Sequence, residues 1–98
     1  MDEAAAWDAR LDALWPRLRA RAAERDASGD AAAVGLPGES ETLLAAQRAW
    51  TAFRDAECAW RYARWGAGSM RQLAGAACRR DLAAARALDF RDALREAP

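Results

Sequence analysis

Trp7, Leu11, Leu14, Trp15 and Leu18 recur at spacings of three and four residues. That period marks one apolar face of a first helix running from about Glu3 to Arg25. Pro16 falls inside it, and a mid-helix proline removes one hydrogen bond, so a kink or a helix start is expected near Trp15. Arg17, Arg19, Arg21, Glu24 and Arg25 read as a solvated face. From about Ala27 to Glu39 the pattern lapses into Ser28, Gly29, Gly35, Pro37 and Gly38, a linker in which Ala31 to Val34 has room for one helical turn. Ser40, followed by acidic Glu41, is the expected N-cap of a second helix reaching about Trp65. Gly66-Ala67-Gly68-Ser69 breaks it, and a third helix is expected from about Met70 to Arg95, with Gly75 as a point of irregularity.

The predicted fold is therefore all-α: a small antiparallel bundle of about three main helices in a single domain, 1–98. It divides into an N-terminal helix (1–26), a linker (27–39) and a helical hairpin (40–97). On a helical wheel, Leu43, Ala46, Trp50, Phe53 and Trp60 share one broad face of the second helix, with Gln47, Arg54 and Arg61 along its edge and Glu57 inside it. In the third helix Cys78, Leu82, Ala85 and Asp89 share a face, with Arg86 at its edge.

The cysteines sit symmetrically about the turn. Cys58 and Cys78 lie equally far in sequence from Gly68, so an antiparallel hairpin sets them opposite each other. A disulfide needs a closer approach than typical packed helices allow, and Ala59, Ala74, Gly75 and Ala77 are small enough to permit it. Closing that loop is worth roughly 3 kcal/mol in the chain-entropy model. The competing reading is two free buried thiols in a cytosolic helix pair.

Composition narrows the chemistry. Hydrophobic residues are 53% of the chain, but many are alanine, so five Trp, two Phe and the leucines must supply most of the core volume. The formal charge is zero and every basic residue is Arg, a balance that speaks against a nucleic-acid binder. With no His and two Cys, the usual general base and any thiolate zinc site are missing, so neither a metal nor another cofactor is expected. No stretch is apolar enough to span a membrane. Met1-Asp2-Glu3 is no signal peptide, yet a disulfide implies an oxidising compartment. A periplasmic or secreted location is expected, with the export signal or lipoprotein leader lying outside this chain.

Several polar side chains fall on the apolar faces. Arg54 and Glu57 are spaced to pair, Arg86 to reach Glu57 across the hairpin, and Asp89 to answer Arg54. Gln47, Arg54, Glu57, Arg86 and Asp89 thus form an expected register-fixing network; a polar ligand site and a glycosidase-like carboxylate pair are the alternatives. Near the turn, Arg61, Tyr62, Arg64 and Trp65 are the candidate partner-binding residues. Packing of the tip aromatics against the first helix is the competing arrangement.

The stretch from Leu44 to Phe90 carries a recognisable series: Ala46-Gln47-Arg48-Ala49-Trp50, Phe53-Arg54-Asp55-Ala56-Glu57-Cys58, Gly68-Ser69, then Cys78 and Arg86. In order and spacing it resembles the lysozyme inhibitor LprI family of bacterial envelope and secreted proteins. The resemblance implies an exported helical domain whose two motif cysteines pair, and inhibition of lysozyme. The further cysteines common upstream in that family are absent, Ala83 stands where a hydroxyl residue is common, and the Gly-rich linker has no obvious counterpart. The functional expectation is a non-enzymatic protein whose partner is a lysozyme or another peptidoglycan hydrolase. An envelope assembly module without such a partner is the alternative, and the oligomeric state is left open.

Overall fold

The computed structural model describes residues 2–96; Met1, Ala97 and Pro98, at the ends of the expected 1–98 span, lie outside them. Four helices follow one another: α1 (Glu3–Ala27), α2 (Asp30–Ala33), α3 (Glu39–Arg64) and α4 (Met70–Arg95), with no strand among the described residues. Asp2 caps α1, its Oδ1 accepting the Ala5 N–H at 2.7 Å. The helix passes through Pro16 without a new start. Pro16 and Asp12 are both exposed, so water can reach the Asp12 carbonyl that the proline leaves without a donor. Likewise α4 runs unbroken through Gly75.

The start of α3 departs from expectation. Ser40 lies inside the helix, and the N-cap is Gly38, which has no side chain to offer. Asp26, at the end of α1, supplies the cap across the linker: its Oδ1 accepts the Glu39 N–H at 2.6 Å and its Oδ2 the Ser40 N–H at 3.0 Å. A Cβ on residue 38 would stand 2.9 Å from Asp26 Oδ1, so glycine there gives the carboxylate its access. Beside it Arg25 Nη1 meets Glu39 Oε1 at 2.6 Å, a second tie between the same helix ends.

Helix α4 is central and packs on both α1 and α3. Leu11, Leu18, Ala83, Ala87 and Phe90 form the buried core, flanked by Trp7, Leu14, Trp15, Leu43, Trp50, Ala93 and Leu94. The Trp15 and Phe90 rings sit 6.0 Å apart. Ala83 and Ala87, with almost no exposure, leave room for the large side chains of α1. Glu3 pairs with Arg80 at one end, and Arg21 donates to the Leu94 and Glu96 carbonyls at the other, so α1 runs parallel to α4.

Two expected faces are rotated. On α3, Ala46, Phe53 and Trp60 are exposed, while Leu43, Gln47, Trp50, Arg54, Glu57, Cys58 and Arg61 are wholly or partly buried. On α4, Ala85 and Asp89 are exposed, and Ala83, Ala87 and Phe90 take the interior. The reason on α3 is Cys58. A bridged cysteine must face its partner, and it brings its neighbours at three- and four-residue spacing, Arg54 and Arg61, to that side. Phe53 and Trp60 then point away, whatever their hydropathy.

The molecule measures 55 × 26 × 16 Å. Its length exceeds the roughly 39 Å of one 26-residue helix, because the hairpin is shifted along α1. Asp2 to Ala4 lie beside Ala76, Ala77 and Arg80, so α4 from Ala77 back to Met70 extends about 10 Å beyond the start of α1. The end of the hairpin is a two-helix projection with no third helix behind it.

Candidate functional site

The disulfide stands at the base of that projection. Cys58 and Cys78 are bonded, with Cα atoms 5.5 Å apart and both side chains buried. Below it, towards the bundle, lies the polar cluster of the motif. Arg86 donates from Nε to Gln47 Oε1 at 3.1 Å. Its guanidinium lies 4.9 Å from the Phe90 ring centre and 5.7 Å from that of Trp50, which Arg54 covers at 5.3 Å. Burial lowers the Arg86 pKa from its ordinary value, and the charge of Asp89 opposes that shift.

The carboxylates are arranged otherwise than the spacing suggested. Arg54 pairs with its neighbour Asp55, at 2.9 Å, and not with Glu57. Glu57 pairs with Arg61 one turn on, at 3.0 Å, and not with Arg86. Asp89 is exposed and makes no hydrogen bond with any described residue; it acts on Arg86 through charge alone. Arg86 consequently has no carboxylate partner and is held by an amide and two aromatic rings. Such a cluster fixes side chains against one another. It presents no pair of carboxylates about a cleft.

Above the disulfide, the tip gathers aromatic and cationic groups. Trp60, Trp65 and Met70 are about half exposed, and Leu73 is more so. Leu73 reaches the start of α1, lining a hollow with Asp2, Glu3 and Ala4. Arg64 lies over the Trp60 ring at 4.9 Å, and Arg71, from α4, over Tyr62 at 5.5 Å. Neither arginine pairs with a carboxylate among the described residues, so their guanidinium N–H groups remain available. Tyr62 also covers Gly75, where a Cβ would come within 3.3 Å of its ring. Trp65 caps α3, and Gly66 follows at φ +58°, the left-handed conformation that ends many helices. Arg61 is half-buried and tied to Glu57. Of the four expected partner-binding residues, Arg64 and Trp65 present most to solvent; Arg61 and Tyr62 are partly engaged in the hairpin.

Arg71, Met70 and Leu73 were not among the expected tip residues. A signal for them was in the sequence: from Cys58 to Arg80 there are five Arg and no Asp or Glu. The rest of the chain carries all fifteen acidic residues against ten Arg, so a neutral protein is strongly polarised along its length. No group of three or more His, Cys, Asp or Glu stands together to hold a metal ion among the described residues, and no helix there is long and apolar enough to cross a membrane.

Fold and site together define a small all-helical domain whose central hairpin is stapled by one disulfide and ends in a basic, aromatic tip. The model of the family described as "Lysozyme inhibitor LprI" matches residues 1–90, and the chain belongs to that family. The match takes in α1 and the linker as well as the motif-bearing hairpin. Comparison with curated proteins and with solved structures finds no match.

Proposed function

We propose that this chain is an exported inhibitor of a lysozyme or another peptidoglycan hydrolase, and that the hairpin tip is its contact surface. The observation that carries the reading is the tip itself, a projection free of carboxylates where Arg64 and Arg71 stand on aromatic rings beside exposed Trp65 and Met70. Family membership supports the same reading. Muramidases work with a pair of carboxylates flanking the glycosidic bond. An unpaired guanidinium offers those carboxylates charge-assisted, bidentate hydrogen bonds, and flanking aromatics fill the sugar-binding walls. Inhibition is then occlusion: no bond is made or broken, and catalytic groups on this chain are not required. The disulfide supports an oxidising compartment, and with it export to the periplasm or beyond.

The test is a cell-wall lysis assay with the purified, oxidised protein against muramidases of each structural class. At least one class is expected to be inhibited at near-stoichiometric ratio, more weakly as salt rises, because the contact is between opposite charges. Full lysis by every class at large molar excess would remove the inhibitor reading and leave that of an envelope assembly module.

A further inference from the structure

The outward face of α3 is apolar and unpartnered over most of its length. Phe53, in the middle of the helix, is 52% exposed and Trp60, one turn from its end, 54%. Beside them Ala45, Ala49, Ala52, Ala56, Ala59 and Ala63 follow at alternating spacings of four and three, all exposed. This is the heptad seam of a coiled coil, and it faces solvent. The opposite flank of the seam carries Arg48 and Asp55, one heptad apart and both exposed.

We infer that this face binds a second copy of the chain, α3 against α3, in an antiparallel two-fold dimer. The charge pattern chooses the occupant and the direction. In antiparallel pairing centred between Thr51 and Ala52, Arg48 of each copy comes opposite Asp55 of the other, and the two-fold axis makes that pair twice. Phe53 then packs over Ala46 and Ala49 of the other copy. Alanine along the seam lets the backbones approach closely. A parallel pairing would bring Arg48 to Phe53 and Asp55 to Trp60 of the other copy, leaving both charges without a counter-charge. Trp65, Met70 and Arg71 stay free at both ends, so the dimer would present two tips.

Sedimentation equilibrium of the full oxidised chain tests this, from micromolar to about 1 mM. The wild type is expected to pass from one chain to two over that range. Phe53→Glu should raise the dissociation constant at least about tenfold with unchanged helical circular dichroism. Arg48→Asp alone and Asp55→Arg alone should each stay monomeric, since each sets like charges opposite one another. Mixed in equal amounts they should form a heterodimer, because one ion pair is then kept in its original sense and the other is restored in reversed sense. A wild type that remains monomeric throughout, or a dimer that survives Phe53→Glu, overturns the self-pairing and gives the face to a different occupant. Failure of the mixture to associate overturns the antiparallel register.

Discussion

Arg86 shows how much one side chain can carry in this fold. Its stem and guanidinium fill the space between Trp50 and Phe90, and its Nε fixes the Gln47 amide. Lysine would keep the charge and lose both the planar stacking and the Nε donor. Arg86→Lys is therefore expected to lower stability by about 1 kcal/mol, read as a shift in the urea midpoint. Asp26 is the second such residue. Hydrogen bonds from the Ser40 side chain, then from the Ser40 and Glu39 N–H groups, hold its carboxyl below the ordinary carboxylate value. A depressed folded-state pKa means stability that is present above the unfolded value and is lost as pH falls through the folded one. Asp26→Asn should thus lower the melting temperature at neutral pH, and the gap from wild type should close in acid. An equal gap at all pH values would assign the effect to shape instead of charge. Neither role was open to spacing arguments alone. Gln47 and Arg86 were each expected at the edge of an apolar face, but their partners depend on side-chain reach. The cap from Asp26 depends on how a linker folds back.

At the scale of elements, helix positions were legible because alanine-rich, three- and four-spaced segments end at clusters of glycine, serine and proline. The bounds of α4 follow directly from the Gly66–Ser69 break. The inward face of α3 was harder to read. Hydropathy pointed to Phe53 and Trp60, whereas the disulfide, already implied by the symmetry of Cys58 and Cys78 about Gly68, requires the face of Cys58. A covalent constraint outranks a pattern of side-chain preference, and the exposed aromatics are what remains once it is met. The staple also has a definite mechanical place. It closes the base of a projection that no third helix supports, so its loss should be felt there first. Replacing both cysteines by alanine is expected to cost roughly 3 kcal/mol in total stability. Amide hydrogen exchange should rise most between Trp60 and Gly75 and least around Leu11, Leu18, Ala87 and Phe90. Uniform acceleration along the chain would contradict this division.

For the whole molecule, the governing facts are length and polarity. The segment from Cys58 to Arg80 carries five Arg and no Asp or Glu; Arg61 and Arg80 pair with carboxylates from outside it, while Arg64 and Arg71 do not, so the molecule has a positive end that also bears exposed aromatics. Such a charge distribution steers the tip toward an acidic cleft and repels the body from it. Association with a target hydrolase should accordingly slow as ionic strength rises, measured as a fall in the on-rate with a smaller change in the off-rate. The central claim is that the tip, and not the body, makes the inhibitory contact. It is tested most directly by measuring the inhibition constant of Arg64→Ala/Trp65→Ala beside that of a body variant, Arg17→Ala/Arg19→Ala, against whichever muramidase the wild type inhibits. The tip variant is expected to inhibit at least about tenfold more weakly while the body variant matches the wild type; equal inhibition by the tip variant and the wild type would contradict the account.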